Sequence, residues 1–161
     1  MRKIKSKGDG VRVRGFLRGQ IVDRKTGKIV GDTGWKENLV TTYGLTALAL
    51  LIAGNAGGKP AVYGSLGTQT DAITAAQTVL SGTANCNSFQ ALTTSISGTA
   101  TAQFTCQFGS ASQTAATIGA VALHTTNAAG GLIAGQIFTT SQMTTAQDFN
   151  LTYQLRFATS A

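Results

Sequence analysis

Side chains able to do acid–base, nucleophilic or metal chemistry are few and scattered. The chain holds one histidine, two cysteines and six carboxylates in 161 residues. His124 ends an alternating run from Ala116, and no cysteine or acid lies near it in sequence to complete a metal set. The plainer expectation is a histidine at the edge of a strand, bonded to backbone or water. Asp71 and Asp148 fall at turn or strand-start positions, where they suit Asx turns better than a general acid and base. Gly54 to Lys59 has the glycines and lysine of a phosphate-binding loop. That loop needs glycine at 53 and Ser or Thr at 60, and the chain has Ala53 and Pro60. Asn150-Leu151-Thr152 spells a glycosylation acceptor, which matters only in a secreted chain. Cys106, between Phe104 and Phe108, reads as a small core residue, whereas Cys86 sits in the polar stretch Asn85-Cys86-Asn87. Reduced thiols are expected of both, with a disulfide open to them only in an oxidising medium. The expectation is a protein that is not an enzyme and needs no cofactor or metal.

The charge distribution carries more information. Charged residues make up 12% of the chain, about half the usual share. Thr, Ser, Gln, Asn, Gly and Ala replace them. A surface of that kind hydrogen-bonds without charge and suits contact with copies of itself, because charge is depleted at interface cores. The net charge of +7 belongs to residues 1–37, which hold eleven Lys or Arg against four acids. Residues 38–161 hold two of each and are neutral. A basic end can meet nucleic acid, an anionic surface or an acidic neighbour. Arg2, Lys3, Lys5, Lys7, Arg12 and Arg14 are the candidates for an intersubunit or nucleic-acid contact. Met1-Arg2-Lys3 is followed by no apolar segment of the kind a signal peptide needs, so synthesis in a cytoplasm without a signal peptide is expected. The longest apolar run, Leu45 to Ala53, is too short to span a bilayer, and no membrane partner is expected.

The elements that must position these groups follow from periodicity. Residues 1–10 have no pattern and are expected to form a basic flexible arm. Residues 11–161 are expected to form a single β-rich domain. Val11 to Asp23 alternates, with Val11, Val13, Gly15 and Leu17 opposed to Arg12, Arg14, Phe16 and Arg18, a strand with one wet cationic face. A turn with Gly27 in a left-handed position returns it through Ile29 and Val30, so 16–31 forms a β-hairpin. The one helix pattern covers about 39–53. Val40, Tyr43, Gly44, Ala47, Leu48 and Leu51 share a face, and Leu45, Ala49 and Ile52 widen it enough to predict a helix buried on most sides. Asn38 or Thr41 can cap its start, and Gly54-Asn55 can end it in a left-handed turn. Trp35 is the expected aromatic anchor between hairpin and helix. Short alternating runs follow at 61–66, 89–97, 100–108, 116–124, 131–139 and 148–157. In 116–124, Ile118, Ala120 and Ala122 are expected to oppose Val121 and Leu123. The fold class is therefore mainly β, an antiparallel sandwich or jelly roll around one buried helix. Its structural core is expected to include Trp35, Tyr43, Leu48, Leu51, Phe104, Phe149, Tyr153 and Phe157.

The basic hairpin followed by Gly34-Trp35-Lys36-Glu37-Asn38-Leu39-Val40-Thr41, Gly44-Leu45 and Ala49-Leu50-Leu51 resembles a recurring arrangement. So do Tyr63-Gly64-Ser65-Leu66-Gly67-Thr68 and the later Gly130-Gly131-Leu132-Ile133-Ala134. It resembles small virion structural proteins of tailed bacteriophages, of the tail, fibre-base or head-decoration type. The resemblance covers most of residues 11–157 and rests on structural motifs. It implies a subunit of a capsid or tail, located in the virion, whose partners are itself as a homo-oligomer and other virion proteins. Two other readings stay open: a binding module for host-surface carbohydrate or non-specific nucleic acid, and an extracellular filament subunit.

Overall fold

The computed structural model describes residues 10–82, 89–109, 116–127 and 130–159. The arm cations Arg2, Lys3, Lys5 and Lys7, and Cys86, lie outside the described residues. The chain is mainly β and antiparallel. Its strands are β1 (Val11–Asp23), β2 (Ile29–Asp32), β3 (Lys36–Val40), β4 (Tyr63–Gly67), β5 (Phe89–Ala91), β6 (Thr93–Ile96), β7 (Thr101–Phe108), β8 (Ala116–His124), β9 (Leu132–Met143) and β10 (Gln147–Thr159). One helix, α1 (Thr42–Ile52), lies between β3 and β4. The strand order is β5-β4-β8-β9-β3-β1-β10-β7-β6, with β2 also on β1. The two outermost strands of that order, β5 and β6, are separated in the chain by Leu92 alone. The sheet therefore curls until its ends meet, in a nearly closed, sandwich-like shape. The run expected as one strand over 89–97 changes partners at Leu92, pairing first with β4 and then with β7. Closure of this kind removes edges that would otherwise template aggregation.

Alternation decides what fills the interior. On β10, Phe149, Leu151, Tyr153 and Leu155 point inward and are buried, with Phe157 half-buried at the end of the row. On β1, Gly15, Leu17, Gly19 and Ile21 face them. Phe104 and Phe108 of β7 complete that wall, and Phe149 packs edge-on against Phe108 and stacked on Phe138. β8 is buried on both faces. Ile118, Val121 and Leu123 join the main core, while Ala120 and Ala122 pack with Leu80 and Leu132 in a second, smaller one. The expectation that Ile118 sides with Ala120 and Ala122 is thus corrected. A bulge between Ile118 and Ala120 shifts the register and turns Ile118 onto the face of Val121. The irregular segment 68–82 covers the small core. Gln69 holds it: its carbonyl accepts from Gln77 Nε2 at 2.6 Å and from the Ser81 amide at 2.9 Å.

Two expectations about the helix region are overturned. Residues 36–40 were expected to lead into or begin the helix, and they form a strand instead. β3 pairs with β1 through Lys36–Asn38 and with β9 through Leu39–Val40, so it joins the two halves of the sheet. Asn38, inside that strand, does not cap the helix. Thr41 does, accepting from the Gly44 amide at 3.0 Å while its hydroxyl lies against the carbonyls of Leu132 and Ile133. The C-terminal end is as expected. Gly54 is left-handed at φ +63°, and the amides of Gly54 and Asn55 close on the carbonyls of Leu51 and Leu50, a Schellman arrangement. The second correction concerns burial. Only Gly44 and Ala47 of α1 are buried, with Leu48 half-buried against the core. Tyr43, Leu45, Leu51 and Ile52 are exposed. Trp35 precedes β3 and is 43% exposed, so it is not the buried core residue expected between hairpin and helix. The helix lies on the surface because its inward positions are small and its stripe of contact is narrow.

Candidate interaction surface

The outer face of β1 carries the residues expected to make contact with a partner. Alternation points Arg12, Arg14, Phe16 and Arg18 away from the core, and the register sets them beside Ala158, Arg156, Gln154 and Thr152 of β10. β7 then adds Gln103 opposite Gln154 and Thr105 opposite Thr152. The result is a broad face of amide, hydroxyl and guanidinium groups. At its centre Phe16 lies under two cations, with the Arg156 guanidinium 4.2 Å and the Arg14 guanidinium 5.2 Å from its ring centre. Arg156 also donates to Gln154 at 2.7 Å, and Gln154 donates to Gln103 at 2.9 Å.

Most arginines on the body are already matched. Arg14 grips Glu37 with both prongs of its fork, at 2.7 and 2.6 Å. Arg18 pairs with Asp32 at 2.6 Å, and Arg24 with Asp148 at 2.6 Å. The hydrogen bonds from Arg14 and Arg18 hold the Glu37 and Asp32 carboxyls below their ordinary range, and each guanidinium is raised in return. Asp148 lies at the start of β10, one of the two placements expected of it, and its nearly buried carboxylate accepts from Arg24 and from Gln107. These pairs are exposed on the arginine side, so they fix side-chain positions more than they stabilise the fold. Of the expected contact residues, Arg12 remains exposed on this face without an ion pair among the described residues, and Arg14 is tied to Glu37.

A second surface is the outer side of α1. Its residues Thr42, Leu45, Thr46, Ala49 and Ile52 are exposed, and the helix contains no charged residue at all. Ile52 is 80% exposed. Such a helix face in an isolated soluble domain ordinarily carries charge.

His124 is placed where the plain reading put it, at the end of a strand, but deep inside. It is fully buried under Phe89, whose ring meets it edge-on at 5.2 Å. Nδ1 lies 3.3 Å from the Gly130 carbonyl, so it carries the proton, and Nε2 then accepts from Ser65 Oγ at 2.8 Å. A serine–histidine contact is the start of a nucleophilic pair, but Ser65 is itself buried. Burial lowers the His124 pKa. The unfolded chain therefore binds a proton that the folded chain refuses. The stability due to neutral His124 is complete above about pH 6.5 and is lost as pH falls towards the lower folded value. Urea unfolding at pH 5.5 should show up to about 1.4 kcal/mol less stability than at pH 7.5, and His124→Gln should flatten the curve in that window. A curve that stays equally steep in the variant would assign the proton elsewhere. Below about pH 4 the depressed carboxyls of Asp23, Asp32 and Glu37 add a separate loss.

Burial likewise pushes the Cys106 thiol up to about 12, as a core role requires. Among the described residues no group of His, Cys, Asp and Glu is arranged to hold a metal ion, and no helix is long and apolar enough to cross a membrane. The sequence missed the contacts between distant strands. Asn38 and the buried Tyr153 hydroxyl lie 2.7–2.9 Å apart across 115 residues, and the Asn38 amide also donates to the Gly135 carbonyl. The alternation in each strand assigns the faces, yet no sequence signal assigns such registers.

The geometry defines a mainly-β antiparallel protein with a nearly closed sheet, one surface helix and a cationic outer face. Comparison with family models, curated proteins and solved structures finds no match to this chain.

Proposed function

We propose that this chain is a structural subunit that assembles with copies of itself, as small tail, fibre-base or head-decoration proteins of tailed-phage virions do. The observation that carries the proposal is the outer side of α1, an apolar and wholly uncharged helix face open to solvent in the single chain. Burying Leu45, Ala49 and Ile52 against a second copy removes apolar area from water at about 25 cal/mol per Å². Such a contact needs no compensating charge. The Gln, Thr and Asn groups between the arginines of the outer sheet face can also hydrogen-bond across an interface, but its exposed guanidiniums make it the costlier of the two surfaces to bury. Pairing of Arg14, Arg18 and Arg24 with carboxylates commits these three guanidiniums within the chain and makes them less available as phosphate contacts. Residence in the virion and contacts with other virion proteins are part of this proposal. Size-exclusion chromatography with light scattering should give a defined oligomer at micromolar concentration, visible as rings or filaments by negative stain. A monomer across a hundredfold range of concentration would overturn it.

A further inference from the structure

A concavity of about 300 Å³ opens between α1 and the sheet, at one end of the core. Leu48 and Leu51 of the helix form one wall. Ile133, Phe104, Leu155 and Phe157 belong to the sheet. Ala47 of the helix, with a side chain of one methyl group, lines the space without filling it. Its size is at the lower end of small-molecule sites, and its lining is more apolar than most. The polar side chains on it are the Thr94 hydroxyl and Lys59. Lys59 is exposed and has no ion pair among the described residues.

We infer that this pocket binds a medium-chain carboxylate, with the hydrocarbon chain inside and the anion at Lys59. Two features of the lining select that class. The interior offers almost no hydrogen-bonding partner, so a peptide segment would enter with amide groups unsatisfied, at a penalty that a hydrocarbon chain does not incur. The single ionisable group is cationic and stands next to Pro60 on the chain leading into the pocket, so an anionic head is matched where a neutral or cationic head is not. Pocket and assembly surface are distinct: Leu45 and Ile52 do not line the cavity.

The test uses decanoate, octanoate and decan-1-ol, titrated into the full chain and followed by calorimetry or by shifts of methyl resonances. Decanoate should saturate and bind about tenfold more tightly than octanoate, as two further buried methylenes require. Lys59→Gln, a change at an exposed position, should weaken decanoate about fivefold and leave decan-1-ol unchanged. Thr94→Trp, which places an indole at the pocket wall from an exposed strand position, should weaken both. Decanoate binding that ignores both substitutions, or no saturable binding below about 1 mM, would overturn the inference. So would a decanoate-to-alcohol preference unchanged by Lys59→Gln.

Discussion

Gly44→Ala should destabilise the fold by about 3 kcal/mol and lower its melting temperature by roughly 6–12 °C. The substitution adds one methyl group to a helix, where alanine is ordinarily preferred to glycine by about 1 kcal/mol. Here tertiary contact reverses the sign. A Cβ at this position would lie 2.1 Å from the Ile133 carbonyl oxygen and 2.9 Å from its carbon, well inside van der Waals contact. The obstacle is backbone of β9 and cannot rotate away. The same oxygen already accepts from the Thr41 amide at 2.9 Å and the Thr41 hydroxyl at 3.0 Å, so moving it also loosens the helix N-cap. Thermal unfolding of wild type and variant, with Ala49→Gly as an exposed control on the same helix, measures the difference. The control should lose about 1 kcal/mol from propensity alone. Equal losses in the two would mean that the helix does not sit on β9 as described.

Leu45→Glu and Ile52→Lys, each in its own protein, should convert the proposed oligomer to monomer while leaving unfolding within about 0.5 kcal/mol of wild type. Both side chains point away from the core, at 49% and 80% exposure. Each new charge also suits its end of the helix, an acid in the first turn and a base in the last. The single chain therefore has no reason to suffer. An interface does, because a buried unpaired charge opposes association by several kcal/mol, two to three orders of magnitude in the dissociation constant. Keeping the substitutions separate matters, since on a two-fold interface like charges then meet and no compensating pair can form. Light scattering reads the mass, and circular dichroism on the same sample reads the fold. An oligomer that persists in both variants would move the assembly surface away from α1, leaving the outer face of β1, β7 and β10 to carry it.

How much of this was written in the sequence differs from element to element. β1 matches the expected strand Val11–Asp23 residue for residue, and β8 matches 116–124. Gly27 turns the hairpin at φ +68° and Gly54 ends the helix at φ +63°. These features are governed by neighbours along the chain, so alternation, capping and turn chemistry suffice to find them. The core prediction succeeded where a strand pattern carried it, at Phe104, Phe149 and Tyr153, with Leu48 and Phe157 half-buried. It failed at Trp35, Tyr43 and Leu51, which are exposed. For the candidate surface, the cationic face of β1 was legible from its alternation. The pairing of its Arg14 with Glu37 and its Arg18 with Asp32 was not.

The sequence by itself determined the strand-rich class, the basic leading hairpin, the C-terminal end of the helix and the side of most regular strands that leaves water. Tertiary structure alone decided that Lys36–Val40 is a strand, that Leu92 carries the chain from one end of the sheet to the other, and that Ile118 turns inward past a bulge. It also decided that α1 keeps its apolar outer side in solvent. The reason is the range of the forces. Dihedral preferences and capping bonds act within a few residues, whereas strand register is settled by partners far away in the chain. Hydrophobicity states only that a side chain gains by leaving water, and not whether its own fold or another molecule will cover it.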